Sequence, residues 1–210
     1  VTLLHFTVPR WVAAQGGWAN PATIGHFERF VRHAVPQLGD LVDLWCTINE
    51  PNVHAVQSYL IGLWPPQHRS ITETGRVLKN LLLAHAHAYH AIHELQPEAR
   101  VGLAQHIRVF DPLNPRSFLD RWFTRLYDRL FNDLVLIFPS QGVLGFPLGF
   151  HEKVLEAYDT QDFIGLNYYS RDMISFDIRN PATLFTRRQA MPGAEYSMEG
   201  WGEVYPEGLY

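Results

Sequence analysis

The sequence predicts an α/β fold in which parallel strands alternate with helices, and three observations carry that prediction. Four short apolar runs recur at wide spacing, at residues 1–6, 42–48, 100–106 and 163–169. Each is followed by, or leads towards, a stretch of helical periodicity, the pattern of repeated βα units. An isolated four-stranded parallel sheet would expose two edges of unsatisfied backbone groups. The complete architecture is therefore expected to be a closed (β/α)8 barrel, of which these units make roughly half.

The first strand opens with Val1-Thr2-Leu3-Leu4 and closes with His5-Phe6. Asn20-Pro21 then supply a helix N-cap and a first helical residue. Ile24, Phe27, Val31, Val35 and Leu38 follow at helical spacing. Pro36 predicts a kink or an end near it. The second strand closes in Thr47-Ile48-Asn49-Glu50-Pro51. Its helix has the clearest start, because Ser70-Ile71-Thr72-Glu73 matches a capping box. Val77, Leu81, Ala84, Ala88, Ile92 and Leu95 trace its apolar face, and Pro97 stops it. The third strand leads through a proline-rich loop at 111–115 into a helix with Phe118, Trp122, Leu126 and Leu130 on one face. A long loop is expected at 139–150 and a short helix near 151–158. After the fourth strand, residues 171–203 show little periodicity and many turn residues, which reads as a functional excursion over a barrel mouth. The chain starts inside an apolar run without methionine and stops just after a Pro-Glu-Gly turn, so an internal piece of a longer protein is expected.

Composition narrows the function classes. The 210 residues are 47% hydrophobic and 18% charged, an ordinary globular balance with enough apolar material for a core. A net charge of −4 gives no electrostatic basis for binding nucleic acid or an anionic membrane. No apolar run approaches the roughly 18 residues of a membrane span. The single cysteine, Cys46, lies in an apolar strand, so no internal disulfide can form and a reducing, cytoplasmic setting is expected.

Glu50 is the leading candidate for chemistry. It stands at the carboxyl end of a barrel strand, where active sites of such barrels sit, and Pro51 takes the backbone out of the strand at once. Breaking a glycosidic bond needs a proton on the leaving oxygen and charge stabilisation at the anomeric carbon, a task for two carboxylates. The alternative is a loop glutamate paired with a base. Asn49 is suited to a sugar hydroxyl, or to a turn. His5 closes the first strand at the same rim as Glu50, although a lone histidine in an apolar run is more often a core residue. Asn167 and Tyr169 alternate with Tyr168 and so share one face of the fourth strand; an aromatic packing cluster is the other reading. His85, His87, His90 and His93 crowd one helix, better explained by a face turned to solvent or to a neighbouring helix than by zinc. No glycine-rich phosphate loop follows a strand. Glu152, Glu156, Glu195 and Glu199 lack strand-end placement.

Several motifs occur in a familiar order. His5-Phe6 with Pro9 precedes Gly16-Gly17-Trp18. Residues 30–40, containing Gly39-Asp40, lead into Trp45-Cys46-Thr47-Ile48-Asn49-Glu50-Pro51. Residues 81–89, residues 162–170 and Trp201-Gly202-Glu203-Val204-Tyr205-Pro206-Glu207-Gly208-Leu209-Tyr210 complete the series. In this the chain resembles family 1 of the glycoside hydrolases, the β-glucosidase family, across essentially its whole length. The resemblance implies a TIM barrel, with residues 1–210 as a partial catalytic barrel equivalent to strands three to six. It implies a retaining β-glycosidase acting on β-linked glucosides or short oligosaccharides, with Glu50 as acid/base. His5 and Asn49 would bind the cleaved sugar, and Tyr169 would contact it and orient the nucleophile, with Asn167 nearby. Two departures stand out. Phe6 replaces the family's usual tryptophan, and the nucleophile's Thr-Glu-Asn-Gly-like motif does not occur in the 210 residues. The chain alone is therefore expected to be inactive or nearly so. No cofactor, metal, nucleic-acid or membrane partner is expected. A non-catalytic sugar-binding protein and a different hydrolase on the same barrel are the alternatives. Asn52, Trp64 and residues 171–203 are candidates for the aglycone side.

Overall fold

The computed structural model describes residues 1–198, 200 and 202–210, excluding the side chain of Ala182. Glu199 and Trp201, both considered above, lie outside the described residues. In chain order the elements are β1 (Thr2–Leu4), α1 (Arg10–Ala14), α2 (Ala22–Leu38), β2 (Leu44–Asn49), α3 (Pro51–Ala55), α4 (Ile71–Leu95) and β3 (Arg100–Pro112). They continue with α5 (Phe118–Asp128), α6 (Leu134–Gln141), β4 (Val143–Leu144), β5 (Glu152–Lys153), β6 (Phe163–Phe176) and β7 (Thr186–Gln189). The chain divides into two compact units.

The first unit comprises Val1–Gln105 and Val135–Leu166. Its strands lie in the order β1-β2-β3-β6. β1 runs parallel to β2, with Leu4 opposite Ile48, and β2 runs parallel to β3, with Trp45 opposite Val101. This is the parallel α/β sheet expected of a partial barrel. The β2–β3 register shifts between Cys46 and Asn49. Such bulges bend a strand and re-aim its side chains, and this one sits just before Glu50. Trp45, Ile48, Leu81, Leu82, Ile92 and Leu103 are among the core residues closed off from solvent. At Gly102 an added Cβ would run into the carbonyl group of Phe163, so only glycine permits this close approach of β3 to β6.

Local sequence explains where the helices begin. Asn20 Oδ1 accepts from the Ala22 N–H at 3.0 Å in the turn that leads into α2, but the N-cap position is Pro21, one residue later than expected, and carries no side-chain cap. Pro36 falls in the last turn of α2, which ends at Leu38. Ser70 caps α4 by accepting from the Glu73 N–H at 3.3 Å, as the capping box predicts. The helix expected near 151–158 is instead a two-residue strand, β5, antiparallel to β4, followed by a single 3-10 turn. The Val154 N–H donates to Gly142 O at 2.8 Å and draws this segment into a hairpin. The loop expected from residue 139 begins later, because α6 runs on to Gln141 with Pro139 inside it.

The second unit comprises His106–Leu134 and Asn167–Tyr210. α5 is capped by Ser117, whose Oγ accepts from the Asp120 N–H at 3.2 Å. Phe110, Phe123 and Ile174 form its apolar centre, with Leu126, Tyr127, Phe131 and Phe176 packed against them. The described residues of 171–203 hold more regular structure than the sequence predicts. Residues as far as Phe176 belong to β6, and β7 returns antiparallel to it, with Met173 opposite Gln189. Further on, buried Glu203 accepts from Arg171 Nε at 3.0 Å and from the Met191 N–H at 2.7 Å. The Arg171 guanidinium also lies 3.7 Å over the Tyr205 ring. Among the described residues no helix is long and apolar enough to cross a membrane.

Candidate active site

The bulged end of β2 delivers Asn49 and Glu50 in succession, both buried. Glu50 is only 6% exposed and adopts left-handed backbone angles, φ 46° and ψ 62°. Its N–H donates to Ala104 O at 2.7 Å, and its carbonyl accepts from the His54 N–H at 3.0 Å. Pro51 then opens α3 in a position that needs no donor. A non-glycine residue in this region costs on the order of 1 kcal/mol or more and persists where surroundings over-determine it, typically at functional sites. Phe6, across the sheet in the bend after β1, is also left-handed, with φ 67°.

These two strained points flank a polar contact. The Asn49 Nδ2 amide reaches His5 Nε2 at 3.4 Å. His5 itself is exposed in the bend just past β1. The Phe6 ring meets the His5 ring edge-on at 4.8 Å and the Trp64 ring at 4.8 Å. The buried His54 ring lies parallel to Phe6 at 6.2 Å. Burial pushes the His54 imidazole down to about 4, so it is neutral at ordinary pH. Asn52 is buried, whereas Trp64 remains partly open to solvent.

Beneath this rim, Thr47 is tied to α4. His85 Nε2 donates to Thr160 O at 2.8 Å, which leaves Nδ1 to accept from the Thr47 hydroxyl at 2.7 Å. Full burial lowers the His85 pKa to about 4 and keeps it in that neutral form. His85 therefore faces the sheet rather than solvent or another helix, a correction to the sequence reading. The other three helix histidines are structural as well: His87 meets Glu28 of α2 at 3.0 Å, His90 the Glu156 carbonyl at 2.6 Å and His93 Asp162 at 3.0 Å. Among the described residues no cluster of His, Cys, Asp or Glu is arranged to hold a metal ion.

In the second unit, Asn167 is half-buried and Tyr169 is 41% exposed, both on β6. The Tyr169 ring packs edge-on against His106 at 4.9 Å, and His106 in turn against Phe131 at 5.3 Å. Burial lowers the His106 pKa to about 4. The structure thus brings His5, Asn49 and Glu50 together in the first unit and sets Asn167 and Tyr169 two residues apart in the second. Sequence reasoning missed His54 and His106 and misplaced His85. For His85 a signal existed: it is four residues after Leu81 and three before Ala88, on the apolar face of α4.

Parallel strands linked by helices, as in part of a (β/α)8 barrel, carry a buried carboxylate at the carboxyl end of β2, the end at which such barrels place their active sites. Comparison with known proteins makes the class specific. The profile of glycosyl hydrolase family 1 matches residues 1–137. β-Glucosidase A of Thermotoga maritima is 30% identical over the whole chain, which covers 48% of that relative. A β-glycosidase from Pyrococcus horikoshii superposes with a TM-score of 0.88 at 31% identity, over all of this chain and 48% of its own. A Thermotoga maritima β-glucosidase in complex with deoxynojirimycin gives 0.90 at 29% identity, over all of this chain and 49% of its own. The chain belongs to glycosyl hydrolase family 1. It spans about half the length of the curated relatives it matches.

Proposed function

We propose that the protein carrying this chain is a retaining β-glycosidase that hydrolyses β-linked glucosides or short oligosaccharides, with Glu50 as its acid/base. The observation that carries this reading is the placement of Glu50: buried, left-handed, at the carboxyl end of β2 and directly after the Asn49–His5 contact. The printed names of the relatives, β-glucosidase A and β-glycosidase, support the class.

In this mechanism Glu50 gives its proton to the glycosidic oxygen as the bond to the anomeric carbon breaks, and a second carboxylate captures that carbon. Glu50, now a base, takes a proton from water as the water attacks and releases the sugar. His5 and Asn49 hold hydroxyls of the cleaved sugar. Tyr169 contacts the sugar and orients the nucleophile, with Asn167 beside it on the strand. The partner carboxylate implied by the family resemblance is not among the 210 residues, so the isolated chain turns substrate over poorly or not at all. Residues 1–210 are assigned to one catalytic barrel domain, since β3 and β6 each continue from one unit into the other. No cofactor takes part. The lone Cys46, whose thiol burial pushes up, suits a cytoplasmic setting.

The test is hydrolysis of an aryl β-glucoside by the protein carrying this chain, with product configuration followed by NMR. Retention is expected, and Glu50→Gln should lower kcat by about 10²–10⁴-fold for a poor leaving group. Inversion, or an unaffected Glu50→Gln variant, overturns the assignment. Saturable sugar binding without turnover would favour the non-catalytic reading.

A further inference from the structure

The second unit contains a cavity of about 480 Å³ whose lining residues are given no role in the chemical steps proposed above. Its lining includes Arg108 from β3, Asp172 from β6, Arg187 and Arg188 from β7, and Tyr196. Three arginines thus line one space.

Their negative partners are too few. Asp172 accepts from Arg108 Nη1 at 2.8 Å and lies 3.5 Å from Arg188 Nη1. Asp177 is shared in the same way, by Arg179 Nε at 3.0 Å and Arg187 Nε at 2.5 Å. Among the described residues, four guanidinium groups therefore divide two carboxylates, and the cavity lining itself holds three arginines against one aspartate, a surplus of two positive charges. Buried Arg108 Nε has no hydrogen-bond partner among the described residues. The hydroxyls on the same wall are already committed, because Thr183 Oγ1 donates to Thr186 O at 2.6 Å and Thr186 Oγ1 to Thr183 O at 2.7 Å. The donors left to a ligand are predominantly guanidinium N–H groups, whose planar forks match oxyanions with several acceptor oxygens. A buried donor without a partner is uncommon in a folded protein and calls for a reason. An anion between Arg108 and Arg188 would supply one and offset the surplus charge.

We propose that this cavity is an oxyanion-binding site for a phosphate or sulfate group, either free or carried on a small sugar. The ligand oxygens sit among the guanidinium groups of Arg108, Arg187 and Arg188, and the cavity leaves room for a sugar-sized substituent.

The experiment is calorimetric titration of the full-length protein with inorganic phosphate, with glucose 1-phosphate, and with glucose as the neutral control. Ionic strength is held constant with sodium chloride. Saturable phosphate binding is expected, with a dissociation constant on the order of millimolar for so small a ligand. Arg188→Ala and Arg187→Ala, whose side chains are 44% and 56% exposed and so removable without opening the core, should each weaken it about tenfold. Asp172→Asn removes a competing carboxylate and should tighten it. Tighter binding of glucose 1-phosphate than of phosphate would assign the site to a sugar-borne group; equal binding would assign it to the free oxyanion. No saturable heat with either anion, or unchanged affinity in both arginine variants, overturns the proposal.

Discussion

The Asn49 side-chain amide donates to Nε2 of His5 across 3.4 Å, joining the residue before Glu50 to the bend that follows β1. The contact crosses two adjacent parallel strands whose carboxyl ends lie side by side. It holds the imidazole with its lone pair on Nε2 and turns its other nitrogen towards donation. In the proposed site this leaves the other ring nitrogen of His5 as a donor for a hydroxyl of the ligand.

His5→Ala should therefore damage substrate handling more than folding. In the protein carrying this chain, kcat/KM for an aryl β-glucoside is expected to fall by about 10–100-fold. Because His5 is exposed, the melting temperature should barely change. A large loss of stability with little kinetic effect would place His5 in the core instead.

His85 carries the opposite expectation. His85→Leu leaves the Thr47 hydroxyl and Thr160 carbonyl without their buried partner. Losing buried hydrogen bonds of this kind should destabilise the fold by about 2–4 kcal/mol, read from urea unfolding. A change within about 0.5 kcal/mol, the range typical of surface substitutions, would contradict the bridge.

Acid sensitivity follows from three buried imidazoles. His54, His85 and His106 have folded pKa values near 4, lowered from 6.5 by burial. Below pH 6.5 the unfolded chain takes up protons that the folded histidines refuse until about pH 4. Stability contributed by these groups is therefore intact above pH 6.5 and falls as pH is lowered towards 4. Unfolding midpoints measured across that window should decline, with a shallower slope in His85→Gln. A flat profile would show these rings accept protons without unfolding.

Gly102→Ala tests the close approach of β3 to β6. The new methyl would strike the Phe163 carbonyl, which the strand pairing holds in place. The variant should lose on the order of 3 kcal/mol or more, or fail to accumulate as soluble protein. Normal stability would mean that the two strands can separate locally.

The parts of this molecule legible in sequence are those where local chemistry and tertiary packing agree. Ser70 and Glu73 announce α4, and the apolar run ending in Asn49-Glu50-Pro51 announces β2 and the turn that follows it. β7 was hidden because Thr186-Arg187-Arg188-Gln189 has no apolar alternation; its pairing with β6 comes from the backbone ladder. The 151–158 hairpin was hidden because its residues suit a helix, and only the Val154–Gly142 hydrogen bond selects the strand. At the site, residue types and order were readable. The left-handed turn at Glu50 was not, since it depends on the bulge in β2 against β3. Nor was the role of His85, whose partners come from β2 and from a residue 75 positions away.

The most direct test of the central claim uses Glu50→Ala in the protein carrying this chain, with dinitrophenyl β-glucoside and added azide. The activated leaving group needs no proton, so a glycosyl-enzyme forms and waits for a base that is no longer there. Azide, entering the space left by the carboxylate, should restore turnover and yield the β-glucosyl azide. Formation of the α-azide would make Glu50 the nucleophile, and an absence of rescue would remove it from the chemistry.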